Sequence, residues 1–361
     1  GSSLAWIATR VRLPFARVLG ILPVMTLFLP ALLKDTSWIQ LFSPRTGLVN
    51  LGLMQLFGWS APPFNVFSLT GMIAHAGLSL APIAYLMLLG PMSSLDRALE
   101  EASFASGASL WRTVFHVTLP AVMPGIISAF ALISIIVACS FETPIIIGLP
   151  GGISTYMSTI YKSMSGGASP NFSMASAQAV IYLAMIGVLL AWYLWATRRE
   201  AKYALIANRG GSSGRIDVGG WRYVLAGFVV LYWIASFGAF LLIAVLISLI
   251  PFYTVTGGNP FQNFNLDNYR AVFADGAVSA VWGSITLALV VSIVAVVVAL
   301  LLAMVSLRTK WRLRRLADAA GTVPIGIPPL VFSVALLITV LSVPGLKLLY
   351  NSWAPMILAS V

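Results

Sequence analysis

The chain has 361 residues, of which 59% are hydrophobic and 9% charged, with a formal net charge of +11. A soluble globular protein carries about 25% charged residues, so that class is excluded. The basic residues fall in short clusters between apolar stretches rather than in one patch, which argues against a nucleic-acid partner. Cys139 is the only cysteine, which excludes a disulfide framework and a cysteine-based metal site.

Long intervals free of Asp, Glu, Lys and Arg define the elements. They run between Arg45 and Asp96, Lys162 and Arg198, Arg222 and Asp267, Asp275 and Arg308, and Asp318 and Lys347. Each can hold the ~20 apolar residues that cross a ~30 Å hydrocarbon layer. The predicted spans are 15–33, 66–91, 121–148, 175–196, 223–250, 279–306 and 323–343, with the start of an eighth from Ser352. The fold class expected is therefore all-α, a polytopic transmembrane helix bundle. The first span is short between Arg17 and Lys34 and is interrupted by Pro23 and Pro30, so its flanking cations must snorkel.

Placing the amino end in the cytoplasm puts 16 of the 21 basic residues on the inner side. Lys34, Arg45, Lys162, Arg270 and Lys347 remain outside. That asymmetry is what the positive-inside rule requires. The Gly- and Ser-rich stretch Asn208 to Gly214 reads as linker chemistry, giving a first half over 1–200, a linker over 201–222 and a second half over 223–361. Arg17 with Leu22-Pro23, and Arg315 with Val323-Pro324, supply a weak internal echo between the halves. Aligning Pro23 with Pro324 leaves the first half without counterparts of the spans at 223–250 and 279–306, and sends the counterpart of Glu101 past Val361. The expectation is a chain lacking two leading spans and a second cytoplasmic elbow.

The inner segment 93–120 differs from the other loops. Ser93 and Asp96 have capping-box spacing, and Leu95, Ala98, Leu99, Ala102 and Ala105 recur with helical period. Gly107 is placed as a C-terminal cap, a second short helix is predicted over Ser109–Thr118, and Leu119-Pro120 opens the next span. An interfacial helix resting on lipid favours Lys and Arg on its polar face. Here adjacent Glu100 and Glu101 would be repelled by anionic lipid, which favours a protein partner.

The residues of this segment are Glu101-Ala102-Ser103, three residues, Gly107, nine residues, Val117, Thr118 and Leu119-Pro120. They resemble the cytoplasmic coupling loop of binding-protein-dependent ATP-binding-cassette (ABC) importer permeases. That family's EAA motif is Glu-Ala-Ala, three residues, Gly, nine residues, Ile, one residue, Leu-Pro; Ser103 and Val117 depart from it mildly. Ser140-Phe141-Glu142-Thr143-Pro144 with Gly148, Tyr156 to Tyr161, Asn268-Tyr269 and Ser284 are similar to the iron(III)-type two-half permeases.

The resemblance implies a MetI-like permease fold in a bacterial inner membrane. It implies a cytoplasmic ABC ATPase dimer that docks on Glu100, Glu101, Ala102, Ser103, Gly107, Val117, Leu119 and Pro120, and an extracytoplasmic solute-binding protein. Glu100 and Glu101 would offer charge, Ala102 would allow close approach, and Gly107 would set the angle. ATP and Mg would sit on the ATPase, this chain needing no cofactor. The cargo would be iron(III), a polyamine or another small solute.

No Gly-x-x-x-x-Gly-Lys-Ser/Thr phosphate loop occurs, and no catalytic residues are visible, so the chain is read as a transporter subunit rather than an enzyme. Glu142 is the only acidic residue placed within a span, either a pathway or gate residue or a structural hydrogen-bonding group. His75 and His116 lack ligand-spaced companions, and no metal site is expected. Two other classes stay open: an ion-coupled secondary transporter, which would place more ionisable groups at membrane depth, and a membrane scaffold.

Overall fold

A peptide group stranded in hydrocarbon has no water to bond, so apolar stretches of this length fold as helices. The computed structural model of the chain describes residues 1–165, 171–207, 215–250, 264–274, 276–308, 312–350 and 352–360. Among them the only β pairing is one isolated bridge, Val11 to Ile216. In chain order the first helices are α1 (Ser2–Arg10), α2 (Ala16–Met25), α3 (Ala31–Phe42), α4 (Leu48–Phe57), α5 (Leu69–Ser94) and α6 (Arg97–Ala105). Then follow α7 (Leu110–Cys139), α8 (Tyr156–Ser165), α9 (Phe172–Ala207), α10 (Trp221–Ser248), α11 (Asp267–Ala274) and α12 (Ala277–Arg308). The last are α13 (Arg312–Thr322), α14 (Pro329–Ser342) and α15 (Ala354–Ser360).

Among the described residues five helices are long and apolar enough to cross a membrane, and two bent pairs raise the number to seven if each is one span. These are the seven segments expected, with corrections. The segment 15–33 is not one rod. α2 tightens into a 3-10 turn over Thr26–Phe28, Leu29 and Pro30 are extended, and α3 leaves at 96°. Likewise 323–343 breaks at Ile327-Pro328, bending by 107°. Proline cannot donate to the ladder, and it disfavours helix in the residue before it, so each break falls at an X-Pro step. The third span begins earlier than expected, at Leu110, and ends at Cys139; Ser140 and Phe141 interrupt the helix before the π turn Pro144–Gly148.

The two breaks fall 298 residues apart, a spacing that Arg17 and Arg315 of the internal echo share. Arg10, Arg17 and Pro30 have counterparts 298 residues on, in Arg308, Arg315 and Pro328. Both prolines cap the helix that follows the bend, and Arg10 and Arg308 both close a helix. The pairing of Pro23 with Pro324 is three residues out of step with this.

By contacts the chain forms two compact units interleaved along the sequence. One comprises 1–138, 142–154 and 189–245; the other comprises 139–141, 155–188 and 246–361. The expected linker 201–222 is described in part. α9 runs on to Ala207, the run 208–214 lies outside the described residues, and Ile216 pairs with the α1–α2 elbow through Ile216 N to Arg10 O (2.7 Å) and Arg12 N to Ile216 O (3.0 Å).

The core of the first unit gathers Leu4, Ile7, Leu19, Tyr85, Leu88 and Tyr232. Polar side chains tie its helices at their backbones. Tyr85 Oη donates to Gly20 O (2.8 Å), Tyr232 Oη donates to Leu78 O (2.8 Å), and Trp38 Nε1 donates to Gly71 O (3.2 Å). Close approach at Gly71 requires the missing side chain, since a Cβ there would lie 2.6 Å from Val66 O. In the second unit α8 and α9 meet through stacked Tyr156 and Tyr182 rings, 5.0 Å apart, and a Ser163–Gln178 hydrogen bond of 3.0 Å. There α12 has no buried residue.

The connection from α3 to α5 is organised by fully buried Asn50. Its amide nitrogen lies 2.9–3.1 Å from the carbonyls of Phe42, Ser43 and Phe64, and its Oδ1 accepts from Phe64 N at 3.0 Å. Replacing Asn50 by Leu strands these groups, each at about 1–3 kcal/mol. Limited proteolysis should then cut residues 57–66 of Asn50→Leu much faster than in the wild type, with helix content unchanged; equal cutting rates would remove Asn50 from this role.

Candidate functional site

The elbow between α5 and α7 is built from short-range signals and one long-range anchor. Asp96, not Ser93, caps α6, its Oδ1 accepting from Ala98 N at 2.9 Å; Ser93 is still inside α5 and bonds to Leu89 O. Gly107 follows α6 at φ +80°, the left-handed conformation that favours glycine. Ser109 Oγ then accepts from Arg112 N, starting α7. The short second helix expected at 109–118 is instead the beginning of α7. A π turn over Val114–Thr118 carries the helix through Pro120. Pro120 has no N–H and its ring crowds the carbonyl four residues back, so a widened turn there keeps the helix continuous.

The anchor is Glu100, 1% exposed. Thr118 Oγ1 donates to Glu100 Oε1 at 2.7 Å, and Arg10 Nη1 stands 3.7 Å from Oε2. Arg10, itself buried, also donates from Nη2 to Leu95 O at 2.7 Å. One carboxylate thus ties α6 to α7 directly and to α1 through Arg10. A second tie joins Ser103 Oγ and Thr113 Oγ1 at 2.9 Å.

This anchoring sets the face that α6 presents. At about 100° per residue, Ser103 and Phe104 fall on the side of Glu100, while Ala98, Glu101, Ala102 and Ala105 fall opposite. The accessibilities agree: Glu101 and the three alanines are exposed, as is Leu99, while Ser103 and Phe104 are half-buried. The apolar stripe expected from the sequence therefore faces out, and a glutamate faces in. Of the two adjacent carboxylates, only Glu101 is presented to solvent. Trp111 (59% exposed) and Phe115 (57% exposed) continue this outer face, stacked 6.2 Å apart. Gly107 and Pro120 are exposed on the same elbow, and Val117 and Leu119 are half-buried. Sequence reasoning missed Arg10, Thr118, Trp111 and Phe115. Arg10 had been counted only towards topology, and the aromatics carry no spacing signal.

Glu142 lies elsewhere, half-buried at the start of the broken segment after α7. It is not the only acidic group among the membrane helices, which corrects the expectation. Asp35 in α3 is 1% exposed and stands 2.7 Å from His75 Nε2, also buried, on α5. Thr143 Oγ1 donates to the same Asp35 oxygen at 2.8 Å. Trp38 and Phe240 pack around the imidazole with centroids 5.5 and 6.1 Å from it. Glu142 and Lys34 are within electrostatic range of Asp35. His75 is therefore a partnered buried base. Among the described residues no group of three or more His, Cys, Asp or Glu could hold a metal ion.

Comparison with known proteins gives this geometry a family. The model of the family described as "binding-protein-dependent transport system inner membrane component" matches residues 1–202, a stretch that contains α1 to α8 and the whole elbow. A putative ferric transport system permease protein, FbpB 1 of Haemophilus influenzae, is 24% identical over 295 residues, covering 79% of this chain and 43% of that protein. The putrescine transport system permease protein PotI of Escherichia coli is 28% identical over 178 residues, covering 49% of this chain and 58% of PotI. The molybdenum transport system permease protein ModB of Escherichia coli is 27% identical over 203 residues, covering 55% of this chain and 86% of ModB. The chain spans about two fifths of the length of the ferric-transport relatives it matches. With its first 202 residues fitting that model, the chain belongs to the family of binding-protein-dependent transport system inner membrane components.

Proposed function

We propose that this chain is the solute-conducting permease part of an ABC importer and that the α6 elbow is where a separate cytoplasmic ATPase grips it. The observation that carries the reading is the reversed polarity of α6: a short helix that buries a glutamate and exposes Leu99, Ala102 and Ala105. A helix free in water gains nothing from that arrangement. A helix laid on lipid would not add Glu101 to the same face. A protein groove accommodates both, with apolar side chains in its centre and a carboxylate at its rim. The spacing from Glu101 to Pro120 supports the same conclusion through its likeness to the EAA motif.

On this reading the amino end and the elbow are cytoplasmic, ATP and Mg are bound by the ATPase, and an extracytoplasmic solute-binding protein delivers cargo at the opposite face. The distribution of basic residues supports that orientation. The ferric-transport relatives, which match 79% of this chain, favour iron(III) as cargo, with polyamines and oxyanions as the other choices. The halves 1–200 and 223–361 are repeats of one unit, supported by the 298-residue spacing of Arg10, Arg17 and Pro30 with their counterparts.

The buried Asp35–His75 pair favours a second reading, an ion-coupled transporter, because partnered ionisable groups at membrane depth are used for proton coupling. Transport assays on the intact protein separate the two. Uptake should stop when ATP is depleted and persist when a protonophore collapses the proton gradient; the opposite pattern would reject the importer reading.

The two glutamates should separate docking from folding. Glu101→Arg, alone or with Trp111→Ala, should abolish co-purification of the ATPase while leaving the melting temperature of the permease unchanged. Glu100→Ala should instead lower stability by about 3–5 kcal/mol, since it leaves the Arg10 charge buried without its carboxylate. Adding Arg10→Met should restore part of that loss in thermal unfolding. Loss of ATPase binding from Glu100→Ala with unchanged melting would show that Glu100, not Glu101, is the contact.

A further inference from the structure

Across the α1–α2 elbow lies a groove of about 660 Å³ whose lining includes Thr9, Arg17, Gly20, Tyr85, Ser93 and Arg215. An adjoining depression of about 510 Å³ shares Ala16, Arg17 and Arg215 with it and adds Phe15 and Val18. Neither arginine is there by chance of a floppy chain. Arg215 is held beside the elbow by the Ile216 bridge to Arg10 and Arg12. Arg17 lies in the first turn of α2, after Phe15 has turned the chain at φ +50°. Both are exposed, and neither has an acidic partner among the described residues. Arg10, which also borders the groove, is held by Glu100, and Asp217 Oδ1 folds back on Gly219 N at 3.0 Å.

Below the two guanidiniums α2 is bare of protein on one side. Phe15 is 83% exposed, Val18 58%, Ile21 60% and Phe28 79%. From Val18 to Phe28 is about 15 Å at ~1.5 Å per residue. That is the depth of one leaflet, half of the ~30 Å hydrocarbon layer. The stripe then ends where Leu29-Pro30 turns the chain through 96°.

We propose that this elbow is a specific binding site for one anionic phospholipid. Its phosphodiester is clamped between Arg17 and Arg215, and its acyl chains lie along the Phe15–Val18–Ile21–Phe28 stripe. Guanidinium forks match phosphate oxygens in geometry as well as charge, and basic pockets between membrane helices are suited to such headgroups. A second role follows from the placement. The same backbone strand that positions Arg215 pairs with Arg10, the residue that holds Glu100, so an occupied site braces the base of the α6 elbow. The lipid site itself does not depend on the importer reading; only its assignment to the cytoplasmic leaflet does.

The test uses the intact protein purified from membranes, delipidated in detergent and offered phosphatidylglycerol or phosphatidylcholine, with bound lipid counted by native mass spectrometry. The wild type should retain one phosphatidylglycerol in preference to phosphatidylcholine. Arg17→Gln with Arg215→Gln should weaken retention roughly ten-fold or more. Arg17→Lys with Arg215→Lys should keep a reduced but measurable preference, and Arg12→Gln, outside the groove, should change nothing. Equal retention of the two lipids, or equal retention by the double glutamine variant, would overturn the proposal. So would displacement by inorganic phosphate, which would make the groove a site for a soluble anion. A double glutamine variant that fails to fold leaves the lysine pair to decide, through its retained preference or its absence.

Discussion

The constraint on which the rest of this structure turns is the burial of one carboxylate at the foot of the membrane helices. Glu100 is removed from water and meets both a hydroxyl and a guanidinium. A buried charge is tolerated only when paired and hydrogen-bonded, so the rotation of α6 about its axis is not free. Once Glu100 points inward, helical geometry turns Ala98, Ala102 and Ala105 outward, and the exposed aromatic pair of α7 falls in line beyond Gly107. The outward face follows from the inward anchor. The anchor in turn requires Arg10 to be at the end of α1, with its second nitrogen on Leu95 O.

The same logic governs the rest of the first unit. Its long helices carry few charges, yet polar side chains occur wherever a helix breaks or crosses. Thr26 meets Ser236 at 2.9 Å where a 3-10 turn faces a π turn, and Ser37 reaches Phe240 O at 3.1 Å just past the Pro30 bend. Asp35, His75 and Thr143 join α3, α5 and the segment after α7. Where the π turn over Ile234–Gly238 disturbs the helical ladder, the carbonyl of Phe240 just beyond it finds a donor in Ser37. The other ties pair side chain with side chain. His75 lies about 9 Å along α5 from Leu69 at ~1.5 Å per residue, close to the helix end where α3 and Thr143 can reach it.

How much of this was legible follows from how far each signal reaches along the chain. The apolar runs are local, and five of the seven membrane segments could be read from the charge-free intervals alone. Gly107 was legible because a left-handed residue after a helix is a local demand. The identity of the inward glutamate was not. Glu100 and Glu101 are adjacent and chemically identical, and what distinguishes them is Arg10, ninety positions earlier in the chain. Counting charges between spans also hid Asp35, which borders Lys34 and looked like part of an outer loop until Pro30 proved to turn α3 back among the helices. Proline is a strong mark but a frequent one, and it is the extended residue before Pro30 and before Pro328 that marks the two breaks.

A handle is useful only if force applied to it reaches the pathway without being absorbed. If the outer face of α6 is where an ATPase pulls, the load passes through Glu100 to Thr118, in the π turn at the base of α7, and through Arg10 to α1. The elbow is braced between these points: Gly107 is bracketed by a bond from Ala108 N to Ser103 O at 3.1 Å and by the Ser103–Thr113 contact. The π turn matters here because it lets Pro120 sit within a continuous helix, so α7 moves as one rod from Leu110 to Cys139. At the far end of that rod the helix is interrupted, and the next ionisable group is Glu142, within electrostatic range of Asp35 and Lys34. A rigid rod with a polar knot at its foot and an ionisable cluster beyond its other end can couple the two, which a loop of the same length could not.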